Sequence, residues 1–408
     1  MKVYLDNTAN IMDEGIHCLV EKLEIIETKI FISQPLHTMK KIFFTIFLVI
    51  ISISVFAQTQ LPSWCIGGFT RPEGLNPIFS PDSATFFDPM SNKKIAWRIG
   101  DVFNPAATTK DGKIYVLYRA EDKSGMGIGM RTSRIGLAFS TDGLHFVNTP
   151  HPVLFPANDD QKENEWRGGC EDPRVAMTEN GTYVMLYTQW NRKTPRIGVA
   201  TSKDLLHWKK HGPAFQKAYN GKFSDMATKS ASIITTLKND KLVMVKINGK
   251  YWMYWGEEHV YAATSTDLIN WQPLIEPDGN LKQLISPRKG YFDSRLTECG
   301  PPAVLTKNGI VLLYNGKNAD NEDADKNYTL NSYCAGQVMF DKNDPTKPIE
   351  RLSKPFLVPE ADFEKSGQYP AGTVFIEGLV YFKKKWFLYY GCADSRVAVA
   401  VCDLQNKK

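Results

Sequence analysis

The chain has little of what marks a nucleic-acid-binding or metal-binding protein. Among its 408 residues, 49 basic side chains face 44 acidic ones, a formal net charge of +5. That excess is small and forms no basic stripe, which argues against a nucleic-acid partner. Only seven cysteines occur. Six of them (Cys65, Cys170, Cys299, Cys334, Cys392 and Cys402) follow residue 57, and no spacing among them is that of a zinc site. No motif implies a metal or an organic cofactor. Long apolar runs are equally scarce: Ile42 to Val55 is almost unbroken but short for a membrane span. What is present is a composition of 43% hydrophobic and 12% aromatic residues, enough for a sizeable core and contrary to disorder.

That apolar run has its own meaning. Lys40-Lys41 precede it, and Val55-Phe56-Ala57 place small residues where a signal peptidase reads. Residues 39–57 are expected to be a secretory signal peptide cut after Ala57. A signal peptide opens a chain, so Met39 is the expected natural start and residues 1–38 an upstream extension. The expected product is exported, periplasmic or secreted, with no stable membrane anchor after cleavage. Residues 58–408 are expected to form one domain. Cysteine pairing stays open at this point, and oligomeric state is not legible.

The remaining chain repeats itself. Five strand-like runs, "GKIYVLYRAE" (112–121), "GTYVMLYTQW" (181–190), "GKYWMYWGEE" (249–258), "GIVLLYNGKN" (309–318) and "KKWFLYYGCA" (384–393), each carry a tyrosine in register, at 118, 187, 254, 314 and 390. Before each lies another extended run, often opened by proline ("FNPAATTK", "EDPRVAM", "CGPPAVLT"). A third follows ("RIGLAFSTDGLHF", "RIGVATSKDLLHW", "HVYAATSTDLINW"), where Thr/Ser-x-Asp closes the strand and an aromatic opens the next. Alternating apolar runs separated by polar turns predict antiparallel strands. Five such units over residues 100–402 must stack on one another to bury their faces. The predicted class is all-β, a five-bladed β-propeller.

In a propeller the functional groups gather where the innermost strands begin. Asp172, in "WRGGCEDPRVAM" (166–177), opens the second of these strands, with Pro173 expected to set an extended entry and two glycines to turn the chain. Asn104 and Glu298 hold comparable places, and Glu121 and Glu257 end second strands. Carboxylates, arginines and tryptophans around a funnel suit a carbohydrate, whose hydroxyls take bidentate hydrogen bonds and whose C–H faces stack on rings. Glycoside hydrolysis needs an acid and a second carboxylate. Asp172, Glu257 and Glu298 are the candidates; the alternative is that some only bind sugar or pair with Arg119, Arg134 or Arg174.

The motifs "NPAATTKDGKIYVLYRAED", "GGCEDPRV", "SRIGLAFSTDGLHF" and "YYGCADSRVAVA", in this order and phase, resemble glycoside hydrolase family 130, enzymes acting on β-mannosides. The resemblance spans about residues 98–403. It implies Asp172 as general acid, acting through a substrate hydroxyl, and Asn104, Arg119 and Asp394 as ligands of the transferred mannose; Glu171, Arg174 and Lys229 are further expected substrate-binding residues. Most members are phosphorylases, which keep a His-Arg pair for phosphate after the third unit's "GKYVML"-like strand. This chain has Trp255-Gly256 there, followed by Glu257. A hydrolase subgroup acting on β-1,2-mannosides carries two glutamates in this region as base, which Glu257 and Glu298 resemble. The implied reaction is inverting hydrolysis of a β-1,2-mannoside in a mannose-containing glycan, with the two carboxyl groups roughly 6.5–9.5 Å apart. Lys229 falls where phosphorylases also keep a lysine, so a phosphorylase using Lys229 and Arg174 remains an alternative, as does a sugar-binding propeller without activity.

Overall fold

The computed structural model describes residues 61–403. The expected signal peptide and upstream extension lie outside the described residues. The described part is all-β: after a two-stranded hairpin, Thr85–Asp88 with Lys93–Ala96, most of its strands fall into five consecutive antiparallel ladders. The first runs Asp101–Lys110, Lys113–Glu121, Ser133–Ser140 and Val147–Asn148. The second runs Gly169–Met177, Tyr183–Trp190, Pro195–Ser202 and Lys209–Pro213. In the third, Ala231–Lys238 pairs with Lys250–Trp255, followed by Tyr261–Ser265 and Gln272–Pro273. The fourth opens on a broken strand, Leu296–Cys299 and Ala303–Leu305, and continues through Ile310–Lys317, Tyr333–Phe340 and Pro348–Arg351. The fifth comprises Val374–Phe382, Lys385–Cys392 and Arg396–Asp403. Its outer edge is met by the start of the described chain through Thr70 opposite Val401 and Phe79 opposite Val397.

The repeated sequence features now have physical roles. The three Ser-x-Asp turns are built alike: Ser140, Ser202 and Ser265 donate through Oγ to Asp142, Asp204 and Asp267 at 2.8–3.1 Å. Each aspartate in turn accepts two backbone N–H groups beyond it. These local side-chain bonds satisfy the turn and fix the hairpin register. The tyrosines latch ladders to connecting segments. Tyr187, Tyr314 and Tyr390 each donate at 2.7 Å to a buried carboxylate, respectively Glu165, Asp293 and Glu364. A cation balances each acid, Lys210 at 2.5 Å, Arg288 at 2.8 Å and Arg71 at 2.7 Å. A buried phenol needs a partner, and a buried carboxylate needs a counter-charge; these three acids are therefore structural. Tyr118 and Tyr254 use other partners, Arg98 at 2.7 Å and the Pro345 carbonyl at 2.9 Å.

Apolar side chains from adjacent ladders interleave. One cluster joins Val184, Leu186 and Val199 of the second ladder to Ile233, Met253 and Trp255 of the third. Another joins Val116 and Tyr118 of the first to Tyr389 and Val399 of the fifth. Strands buried on both faces read as near-continuous apolar runs, which is the pattern of "KIYVLY" and "KWFLYY". Cys170, Cys299, Cys334 and Cys392 are buried thiols within this core.

Candidate active site

The first strands of the first, second and fifth ladders carry a register slip in their opening half, and that of the fourth is broken; the polar residues gather there. Pro173 does not give Asp172 the expected extended backbone. Asp172 is left-handed, with φ +45, and the ladder slips between Glu171 and Arg174. Asn104, also before a proline, repeats this with φ +49 and a slip between Phe103 and Pro105. A β-bulge re-aims a side chain at the cost of local strain, and such conformations persist where the surroundings hold them. The glycines upstream serve close approach. At Gly169 (φ +114) a Cβ would stand 2.1 Å from the Ser133 carbonyl oxygen, so only glycine lets the second ladder's first strand touch the first ladder.

The bulges bring the predicted residues together. Asp172 Oδ1 accepts from Asn104 Nδ2 at 2.8 Å and from Arg119 Nη1 at 3.1 Å. Lys229 Nζ stands 3.4 Å from its Oδ2. Arg119 is shared: Nη2 reaches Glu121 at 2.6 Å and Glu171 at 2.8 Å, while Nε donates to Ser133 at 3.0 Å. The guanidinium lies over the Phe103 ring, 4.6 Å from its centroid. Asp394, in the turn after the fifth ladder's second strand, is left-handed too (φ +52). Gln368 Nε2 joins its carbonyl to Glu121 Oε2, each at 3.1 Å.

Glu298 lies on the first strand of the fourth ladder, buried, and accepts a short hydrogen bond from Ser230 Oγ. Glu257 stands past the end of its strand and is exposed. Arg174 faces inward between ladders: Nη2 pairs with Glu377 Oε1 at 2.8 Å, and its Nη atoms donate to the Asp172 and Cys299 carbonyls. Glu377, Ser230, Ser133 and Gln368 were not singled out in the sequence. Glu377 ends the fifth unit's "TVFIE" and Ser230 precedes a first strand as Asn104 almost does, so the phase of the repeat was the available signal.

Charge is unevenly distributed over this cluster. Burial pushes the Asp172 carboxyl up, but Arg119, Lys229 and Arg174 outweigh it and hold Asp172 well below the usual carboxylate range. Glu171 beside it is pushed up to about 7 by burial and by the Asp172 charge, against Arg119. Asp394 rises to about 6 through burial, opposed by Arg119. Burial, with the Glu257 charge second, raises Glu298 to about 7. Lys229 would lose its proton more easily through burial, but Asp172, Glu257, Glu298 and Glu171 together hold it charged. The unliganded site thus holds Asp172 as a firm anion beside three carboxyl groups, Glu171, Asp394 and Glu298, that burial lifts toward neutrality.

The turn at 255–257 is tightly packed. Trp255 is buried, with Tyr261 and Phe215 each 4.8 Å away between ring centroids. Gly256 has φ +123, and a Cβ there would stand 2.0 Å from the His259 carbonyl. Its N–H donates to the Ser230 carbonyl at 2.9 Å, tying this turn to the residue that holds Glu298. No side chain longer than hydrogen fits position 256 with this backbone.

An all-β chain that gathers carboxylates and arginines in this way is a carbohydrate-active enzyme. It belongs to glycoside hydrolase family 130: the family profile, described as beta-1,4-mannooligosaccharide phosphorylase, matches residues 70–406. Family members act on mannosides as phosphorylases or as hydrolases. A 1,2-beta-oligomannan phosphorylase of Thermoanaerobacter sp. is 32% identical over 317 residues, 76% of this chain and 93% of that protein. A glycosyl hydrolase structure from Bacteroides ovatus is 61% identical with a TM-score of 0.84, covering 85% of this chain and 97% of that one. Another structure, reported with glycoside hydrolases of the family that target β-1,2-mannosidic linkages in Candida mannan, is 60% identical with a TM-score of 0.84. It covers 86% of this chain and 97% of that one.

Proposed function

We propose that this protein is an exported, inverting hydrolase of β-1,2-mannosidic bonds. Each antiparallel ladder is read as one blade of a five-bladed propeller whose first strands surround the axis. Export follows from the signal pattern at residues 39–57. The observation that carries hydrolysis over phosphorolysis is the turn at 255–257. Buried Trp255 and unsubstitutable Gly256 replace a cationic pair, and Glu257 and Glu298 stand beside Lys229. A phosphate dianion entering there would meet two carboxylates, whereas a water would meet a base.

Glu298 is the base in this reading, since its pKa near 7 suits proton abstraction at neutral pH. Glu257 acts on it through charge. Asp172 protonates the glycosidic oxygen through a mannose hydroxyl. The sugar must first displace the ionic contacts that keep Asp172 ionised, and Glu171, across the shared Arg119, holds a proton within the same cluster. Water attacks the anomeric carbon, the C–O bond breaks, and the water proton passes to Glu298. Asn104, Arg119 and Asp394 bind the mannose being released. The 60–61% identity to structures described as hydrolases supports this reading over the 32% identity to a phosphorylase. Lys229 beside Asp172 favours the second reading, a phosphorylase.

Incubation with β-1,2-mannobiose, with and without inorganic phosphate, separates the readings. Free mannose is expected in both at equal rates. Mannose 1-phosphate formed only with phosphate overturns the hydrolase, and no product in either tube leaves a binding protein. The pH profile tests the base. Glu298 must be ionised to accept a proton, so kcat/KM is expected to rise as pH climbs through about 7. Glu257→Gln removes the charge that helps raise Glu298, so this limb should move to lower pH; a limb unchanged by Glu257→Gln would contradict the coupling.

A further inference from the structure

We propose that Arg174 is a positioning residue, a brace that sets the spacing between the strand bearing Asp172 and the strand bearing Glu298. The inference rests on the reading of these two carboxylates as acid and base. Arg174 Nη1 donates to the Asp172 carbonyl at 3.1 Å, and Nη2 donates to the Cys299 carbonyl at 3.0 Å. One planar group therefore joins the main chain of the acid to the main chain next to the base, from the second ladder to the fourth.

The fifth ladder supplies a carboxyl partner, Glu377, which burial pushes well above the usual carboxylate range against the pull of Arg174. Glu377 Oε1 lies 2.8 Å from the same Nη2, and both side chains are buried. Glu377 faces inward because its strand slips between Ile376 and Gly378, the same device that turns Asn104 and Asp172. Phe375 lies beside the guanidinium, 6.0 Å from ring centroid to Cζ. The brace needs arginine: its rigid fork holds several acceptors at fixed angles, whereas a lysine ammonium offers a single point on a flexible stem. Both Nη atoms are thereby engaged with protein rather than offered to sugar.

The consequence is kinetic. An inverting reaction needs room for one water between sugar and base, and a misplacement of about 1 Å can cost about 10²-fold in rate. The brace controls that spacing without touching substrate. In the test, Arg174→Lys and Glu377→Leu are assayed on β-1,2-mannobiose. Each kcat is divided by the fraction of molecules that bind mannose in calorimetry, so that partial unfolding does not register as lost chemistry. The expected result is a loss of kcat per binding site of about 30-fold or more for Arg174→Lys and about tenfold for Glu377→Leu, with KM within about threefold. Retention of kcat per site within about threefold in either variant overturns the brace. If Arg174→Lys does not fold, Glu377→Leu alone decides. If the wild type works only with phosphate, the hydrolase reading fails and the brace with it, an outcome distinct from a phosphate-independent enzyme whose variants keep kcat.

Discussion

Asp172→Asn is expected to lower kcat on β-1,2-mannobiose by about 10³-fold, within the range for loss of a general acid. The asparagine keeps the size of the side chain, and its amide oxygen can still accept from Asn104 and Arg119 as Oδ1 does at 2.8 and 3.1 Å. What it lacks is a transferable proton. Its amide nitrogen also replaces Oδ2 opposite Lys229, two donors facing each other, so a few-fold change in mannose affinity is expected alongside. An internal control follows from the chemistry. A dinitrophenyl β-mannoside expels a leaving group that needs no protonation, and on that substrate the loss should be under about tenfold. Kinetics on both substrates check this. Equal losses on the two would remove Asp172 from the acid role, and activity on mannobiose within about tenfold of wild type would remove it from catalysis.

The second large effect is expected for Glu298→Gln, a loss in kcat of about 10²- to 10³-fold that phosphate does not restore. Glutamine can still meet the Ser230 hydroxyl, so the ladder start should survive. It cannot take a proton from water. The rising limb near 7 in kcat/KM should disappear in the same variant, since the base whose ionisation produces it is gone. Glu257→Gln should lose less, because Glu257 is exposed and acts on the buried carboxyl through space. Steady-state rates for both variants decide between the two glutamates. A larger loss at Glu257 would exchange their roles. A phosphate-stimulated Glu298→Gln enzyme would instead point to phosphorolysis latent in Lys229.

Much of this site was legible in the chain because a repeat carries positional information. Tyrosines at 118, 187, 254, 314 and 390 and the Ser-x-Asp turns put strand starts in phase, so Asn104, Asp172 and Glu298 could be paired across ladders before any coordinates. Those features are local, set by strand alternation and by side chains bonding their own turn. The sequence also carried the exchange of Trp255-Gly256 for a cationic pair, since it is a matter of residue type. It did not reveal why position 256 is closed; that depends on the His259 carbonyl 2.0 Å from where a Cβ would stand.

Tertiary structure decided the rest, because charge state and orientation depend on neighbours far apart in sequence. The proline after Asp172 suggested extended backbone, yet packing against the first ladder turned Asp172 left-handed and aimed it at Asn104, 68 residues away. Arg174 read as a sugar or phosphate ligand by its place in "EDPR"; only the fold shows that its Nη atoms meet Glu377 of the last ladder and the Asp172 and Cys299 carbonyls. Glu165, Asp293 and Glu364 carry the same chemistry as the site carboxylates, but tyrosine and cation partners make them structural. Residue types and their period are written along the chain, whereas the field at a buried carboxyl is the sum over whatever folding brings within a few ångströms of it.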